Sequence, residues 1–576
     1  MTELPTRSAS EPTATAPTPR AVWIVLAVIA LVLVVFTKDG PGSWADATRL
    51  ATIDSLVTRG TLAIDDSVYF WQGDKVWFEP HYYSHQPPMM AMVGALPFAL
   101  LHHLGGLAID QAPTYRLLTL ALVGLPVLLG LWAISRLIAA TGCRAGWNAA
   151  LIAVFGLTTL LLPYSLVLNQ HGAAAGLVAL AFLCLQRSRP VFAGVLLALA
   201  TTIDLTAVFP ALACLWPVMR GAGLGGVVRY GLGALPVLAL HFSVNWAVAG
   251  DLVPFGMHDE AFRYPMSPFM FMSLTGVDQI QVDGQRFTYL LGTTFGHSGL
   301  FSHHPPLLFA ALAGLLLLFR RRSPEDRAAR ASVAPGLASG LLPAAALSAI
   351  GITVFYVFQS SNYGGSSFGM RWFAVYVPLL ALFPAEFLAR REAQGQPWRP
   401  GVIAAPLLIA GLTVSVAATA LGVVNPWTKF HYRWADSPEG LAALPGEERP
   451  SQREHWRAEW NRIQRSDPIT RQWYDQTFAR LMDQHRRVYL RPLPDVDDAT
   501  REQWIRQGLG TLHAVVDLMD SAGVTDHSRT MGHFWLGKFY AALEDRGSAE
   551  REYEQAIYLS PGFGPAENAL AKLRGE

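Results

Sequence analysis

The stretch AVWIVLAVIALVLVVFT, residues 21–37, holds no charged side chain. An α-helix of about this length just spans a hydrocarbon core about 30 Å thick. The run follows Arg7 and Arg20 and has no A-x-A cleavage pattern, so it reads as a retained first span and not a removed signal. Residues 1–20, rich in Thr, Pro and Ala, read as a disordered cytoplasmic tail. Working outward, similar apolar runs recur at about 115–137, 147–165, 171–186, 190–204, 205–219, 227–248, 304–319, 336–357, 371–389 and 401–423. The expected fold is therefore all-α: a polytopic membrane protein of about eleven spans, followed by a helical C-terminal domain.

Composition agrees. The chain is 52% hydrophobic and 15% charged, against roughly a quarter charged in soluble proteins. The deficit ends near residue 424, which marks the limit of a membrane domain spanning 21–423. A net charge of +1 gives no nucleic-acid signature. Cys143, Cys184 and Cys214 show neither disulfide nor metal-ligand spacing.

Orientation follows from the basic loops, because Lys and Arg accumulate on the cytoplasmic side. With the N-terminus inside, the junctions Arg136–Arg144, Arg187/Arg189, Arg220–Arg229, Arg320–Arg330 and Arg390–Arg399 all fall in the cytoplasm. Loops 38–114 and 249–303, the turn Asn169–His171 and the C-terminal region then fall outside an inner or plasma membrane. The short apolar run 89–101 after Pro87-Pro88 suits a re-entrant or interface-lying helix.

The first outer loop opens GSWADATRLATIDSLVTRG, residues 42–60. Ser43 and Asp46 have capping-box spacing. Leu50, Ile53 and Val57 line one face, as a helix lying in the membrane interface requires. Gly60 ends it, so Asp46 sits at a helix N-terminus just outside the bilayer. Then comes KVWFEPHYYSHQPPMMAMVGALPFALL, residues 75–101, crowded with aromatics and histidines.

This arrangement resembles the polyprenyl-phosphate-sugar glycosyltransferases of the GT-C class, which include protein O-mannosyltransferases and the aminoarabinose transferases that modify lipid A. Their first outer loop opens with an acidic D-E-x-x-Y-like helix ending in Gly, and a Lys-Pro-Pro starts the next apolar helix. The matching residues here are Asp46, Arg49, Ala51 and Gly60, then Tyr83-Ser84-His85-Gln86-Pro87-Pro88. Two further stretches share the likeness, GTTFGHSGLFSHHPPLLF (292–309) and NYGGSSFGMRWFAVYVPLLAL (362–382). The chain departs from the pattern twice: the second acidic residue is Ala47, and the lysine before Pro-Pro is Gln86.

The resemblance implies transfer of a sugar from a polyprenyl-phosphate donor to a glycan, lipid or protein hydroxyl, with inversion and with Asp46 as general base. Such a reaction needs a base, cations or donors for the leaving phosphate, and access for the lipid. Asp46 also has a purely structural reading, as a helix-capping carboxylate. Arg49 is placed to form a surface ion pair with Asp46 or to touch the phosphate. Arg371, opening a span after a glycine-rich segment, is the expected phosphate grip; otherwise it is a snorkelling interface arginine. Tyr363, His85 and Gln86 are further candidate donor contacts, and His171, His297 and His303 candidate substrate contacts. The outer histidines offer no helical H-x-x-x-H pair and no CxxC accompanies them, so no metal ligand is assigned, and a divalent cation is left open as the one cofactor to consider. Asp204 is a lone acid near a turn between apolar runs, a flag for function.

Residues 424–500 read as an outer linker region. In the segment 501–576, Leu536, Gly537, Tyr540, Ala549, Tyr553, Ala556 and Pro561 follow tetratricopeptide spacing, with His533 at the usual Trp position. Helices 501–521 and 564–574 are expected to complete the stack, as a partner-docking surface or a plain folded cap. The competing whole-chain readings are a transporter or flippase-like protein and a non-catalytic scaffold. Transporters usually show internal repeats and midplane charges, and neither pattern is evident here.

Overall fold

A computed structural model describes residues 18–69, 74–78, 81–262, 286–296, 298–319, 338–360, 363–364, 367–427 and 526–575, with single positions between 502 and 516. The described residues fall into two compact units, a membrane domain and a C-terminal helical unit.

The membrane domain contains helices α1 (Arg20–Phe36), α2 (Trp44–Thr58), α3 (Met89–Gly105), α4 (Ala112–Ala140), α5 (Ala145–Leu157), α6 (Gln170–Gln186), α7 (Pro190–Ile203), α8 (Leu215–Ala249), α9 (Pro305–Phe319), α10 (Ala338–Gln359), α11 (Arg371–Ala393) and α12 (Ala404–Val424). Among the described residues, five stretches are long and apolar enough to cross a bilayer: α4, α8, α11, α12 and Gly340–Gln359 of α10. Large apolar side chains such as Trp23, Ile24, Leu31, Leu407 and Ile409 face outward from their helices. Such faces are stable only against lipid, where helices satisfy their own backbone groups. The fold is a polytopic α-helical membrane protein.

Glycines set the closest helix contacts. A Cβ on Gly176 of α6 would lie 2.1 Å from Pro126 O of α4, and one on Gly194 of α7 would lie 2.0 Å from Tyr230 O of α8. Small residues allow backbones to touch where burial against lipid provides no drive to associate.

Three segments differ from expectation. Residues 147–165 form α5 and a separate turn, Leu161–Ser165. The helix breaks at Thr158 and Thr159, whose hydroxyls bond back to Val154 O and Phe155 O, and Pro163 has no N–H to continue the ladder. Residues 205–219 are not one span either: Asp204 caps a 3-10 turn, Leu205–Ala207, which leads through Val208–Ala213 into α8. α8 itself kinks at Gly223 (φ 59°). Third, α3 runs 17 residues, past the expected 89–101.

Hydrogen bonds place both flanks of α3 at one end of the bundle. Gln86 before it bonds to Arg49 of α2, and Tyr115 after it bonds to Asp46 of α2. Arg116 of α4 reaches Asp39 at 2.9 Å and Val34 O at the end of α1. The turn before α6 meets the same place through Leu168 O and Gln170. So the stretch from Gln86 to Tyr115 begins and ends beside α2, and after α4 and α5 the chain is beside α2 again at Leu168.

The outer loop also holds strands β1 (Lys75–Phe78) and β2 (His81–Ser84), paired antiparallel from Lys75↔Ser84 to Phe78↔His81. Tyr82 N–H donates to the Asp65 carboxylate at 3.3 Å, and Ile64 N–H donates to Tyr82 O at 2.8 Å. This hairpin was not anticipated in an all-α reading.

The second unit packs α13 (Asp526–Ala542) against α14 (Arg546–Leu559), with α15 (Gly564–Arg574) after them. Gly537 accommodates the Tyr553 ring, and Ala549, Tyr553 and Ala556 are buried. His533 Nδ1 lies 2.7 Å from Glu552 Oε2. Ile505, Leu512 and Val516, at helical spacing, join this core. Most of the expected linker 424–500 lies outside the described residues.

Candidate active site

α2 begins as its sequence dictates. Ser43 Oγ accepts from Asp46 N–H at 3.1 Å, and Asp46 lies in the first turn where the helix dipole favours an anion. Yet the expected interface-lying helix is absent: Ala45 to Ser55 are buried without interruption. α3 and β2 pack against α2, and the turn before α6 covers it further. The helix therefore lies in protein, and its carboxylate faces an interior.

Asp46 is fully buried. Its Oδ2 accepts from Tyr115 Oη at 3.3 Å. Its Oδ1 lies 3.7 Å from Arg49 Nη1 and has no hydrogen-bond partner among the described residues. Burial pushes its pKa up to about 6, against the opposing pull of Arg49, Ser43, Arg371 and Tyr115. Desolvation wins because the charged form gives up water that one long ion pair does not replace.

Arg49 is a hub and not a surface pair, since it is 1% exposed. Nη1 donates to Leu168 O at 3.0 Å, and Nη2 donates to Gln86 Oε1 and Gln170 Oε1. Gln86 in turn bonds through Nε2 to the His85 ring, and its N–H donates to Ser84 Oγ at 3.2 Å. Ser84 Oγ donates to Thr48 of α2 at 3.0 Å. His85 is brought close to Asp74, 3.9 Å away. Burial, with the nearby Arg49 charge, pushes His85 down to about 3, so the ring is neutral at pH 7. A narrow cleft bordered by Arg49, Gln86, Pro88 and Phe255 opens beside this network.

Arg371 comes to the same place from the far end of the chain. Gly364 and Gly369 take φ values of +91° and +59°, backbone that only glycine adopts readily. Phe368 N–H donates to Pro426 O at 2.9 Å, and Tyr164 Oη donates to Phe368 O at 2.6 Å. Lys38 Nζ closes the end of α12 on Val423 O at 2.6 Å. Trp427 is thereby held under Arg371, with the guanidinium 5.1 Å from its ring centroid. Among the described residues Arg371 has no acidic partner, and its buried Nε has no hydrogen-bond partner. Its charge acts on both Asp46 and Arg49.

His171, in the first turn of α6, bonds through Nδ1 to Asp204. Tyr363 lies tilted against Tyr289, centroids 5.0 Å apart, on the loop leading to Arg371. His303 meets Phe368 of that loop edge-on at 5.6 Å. Neither joins the Asp46 hydrogen bonds. His297 lies outside the described residues. Among the described residues, no group of three His, Cys, Asp or Glu side chains converges as a metal site.

Tyr115, Asn169 and Gln170 were not foreseen. Each is a polar residue at the start of an apolar run, the one signal that was available.

No protein-family model matches this chain, and no curated protein matches it. Solved structures that are similar include ArnT from Cupriavidus metallidurans bound to undecaprenyl phosphate, 15% identical over 93% of this chain and 80% of that one, with a TM-score of 0.42. The Archaeoglobus fulgidus oligosaccharyltransferase in its apo form is 13% identical over 73% of this chain, with a TM-score of 0.37. The chain spans 59% of that protein's length.

Proposed function

We propose that this protein is a membrane glycosyltransferase that moves a sugar from a polyprenyl-phosphate donor to an acceptor hydroxyl on the extracytoplasmic face, inverting the anomeric centre. One observation carries the reading. Among the described residues, Asp46 keeps one buried carboxylate oxygen without a hydrogen-bond partner, and the half-buried Arg371, whose charge acts on it, keeps a buried Nε without one. Buried polar atoms are seldom left without partners. An acceptor hydroxyl satisfies the first, and a phosphate satisfies the second.

In the proposed step the acceptor oxygen bonds to the anomeric carbon as its proton passes to Asp46 Oδ1. The bond from that carbon to the phosphate oxygen breaks, and the electron pair leaves with the polyprenyl phosphate. Arg371 stabilises the charge that develops there. A base titrating near pH 6 is ionised at neutral pH and still basic enough to accept the proton. Tyr115 and Arg49 fix the carboxylate. The acceptor is a glycan, lipid or protein, and α13 to α15 form a tetratricopeptide-like surface for docking it or a partner. The distribution of basic loops supports a cytoplasmic N-terminus and an extracytoplasmic C-terminal unit.

The test is transfer from labelled polyprenyl-phosphate sugar by the purified protein and by Asp46→Asn. Transfer by the wild type alone supports the reading; equal transfer by both removes Asp46 as base.

A further inference from the structure

The turn into α6 holds a second set of buried polar groups that the proposed proton transfer does not use. Asn169 is fully buried and His171 is 2% exposed. Asn169 Oδ1 accepts from His171 N–H at 2.9 Å, while its Nδ2 has no hydrogen-bond partner among the described residues. His171 Nδ1 is held by Asp204 Oδ2, while Nε2 has no partner among the described residues. Asp204 is itself fully committed: its Oδ1 accepts from Thr206 N–H at 3.1 Å and Thr206 Oγ1 at 2.8 Å. A carboxylate with both oxygens occupied is a poor base but a firm anchor for an imidazole ring.

The pair adjoins the site already described. Gln170, between Asn169 and His171, bonds to Arg49. The turn Arg371–Tyr376 packs on both α6 and Leu205–Ala207. α6 is a 17-residue helix whose N-terminal amides and dipole favour an anion.

Resting on the glycosyltransferase reading, we propose that His171 and Asn169 form a second half of the donor-phosphate site, opposite Arg371, and that Asp204 is a positioning residue for His171. Asp204 fixes the ring so that Nε2 meets a phosphoryl oxygen, and Asn169 Nδ2 donates to another. With its Nδ1–H on Asp204, the ring donates from Nε2 once the charge of the bound phosphate draws a proton from water onto it. The arrangement supplies the donors that Gln86 cannot, since its amide is bound to Arg49 and His85.

The experiment measures binding of undecaprenyl phosphate, and separately of undecaprenol, to the full-length protein in detergent. Wild type, Arg371→Gln, His171→Phe, His171→Gln and Asp204→Asn are compared, with thermal unfolding as the check on folding. Loss of one hydrogen bond to a charged group corresponds to about tenfold or more in affinity. His171→Phe is expected to weaken the phosphate about tenfold and leave the alcohol unchanged. Asp204→Asn is expected to weaken the phosphate severalfold, and His171→Gln, which keeps a donor near the Nε2 position, to recover part of the loss. Phosphate binding by His171→Phe equal to wild type overturns the proposal, as does equal loss of phosphate and alcohol, which marks a structural role. If Arg371→Gln weakens the phosphate and the His171 variants do not, the transferase reading stands and this inference alone fails. If the wild type binds phosphate no better than alcohol, both fall.

Discussion

Tyr115 Oη reaches Asp46 Oδ2 across 3.3 Å and itself accepts from Leu168 N–H at 3.1 Å. One phenol thus ties the start of α4 and the turn before α6 to the carboxylate on α2, and it leaves Asp46 Oδ1 as the free oxygen. Removing the hydroxyl as Tyr115→Phe takes away a hydrogen bond to the charged form of Asp46, so its pKa rises further. The expected result is an acid limb of the transfer rate moved to higher pH, and stability lower by about 1–2 kcal/mol for the orphaned Leu168 N–H. A pH–rate profile beside a melting curve checks both.

Asp46 itself sets a pH dependence with two signs. Transfer is expected to rise with pH through a midpoint near 6, because the base must be ionised. Stability runs the other way. The folded-state pKa lies above the unfolded value of about 4, so between the two the folded form binds more protons. Stability is then highest below about pH 4 and falls as pH rises through 6. Asp46→Asn, a neutral isostere, is expected to lose transfer by at least about 10²-fold while gaining on the order of 2 kcal/mol at pH 7.5. A variant that melts below wild type at pH 7.5 contradicts the desolvation argument.

Gln86→Lys restores the lysine expected from the family resemblance, and here it is predicted to harm. Arg49 Nη2 donates to Gln86 Oε1 inside a buried network. A lysine there removes an acceptor and sets two cations together. The loss is expected at about 3 kcal/mol or more, the range for an uncompensated buried charge. Thermal unfolding of the variant, with Gln86→Glu as the charge-reversed control, reads it out.

Arg371→Gln is predicted to separate binding from stability. The guanidinium stacks on Trp427 and has no acidic partner among the described residues, so the melting temperature changes little. Donor KM is expected to rise tenfold or more, the size of a lost charge-assisted contact. Steady-state kinetics against donor concentration tests this, and a kcat effect with unchanged KM would point to transition-state stabilisation alone.

Gly194→Val tests the helix contact. Its Cβ would fall 2.0 Å from Tyr230 O, a backbone atom that no side-chain rotation relieves. Destabilisation of at least about 2 kcal/mol is expected, read as loss of folded protein on size-exclusion chromatography.

Much of the architecture was legible in advance. Apolar runs of bilayer length announce helices, and Ser43 announced the start of α2 because its side chain bonds only to amides a few residues away. The misreadings have local causes. Residues 147–165 and 205–219 carry no charged side chain, and hydropathy does not register a threonine hydroxyl or an aspartate bonding back to the backbone. The four-residue strands are too short for their alternation to stand out.

The site divides the same way. Asp46 and Arg371 were candidates from the sequence because chemistry and position along the chain single them out. That α2 is sealed in protein, that Arg49 is a hub joined by Gln170, and that Tyr115 meets the carboxylate were decided by tertiary structure alone. Hydropathy and capping act within a few residues, so sequence determines them directly. The burial that lifts Asp46, and the pairing of His171 with Asp204 33 positions away, exist only once distant helices have packed.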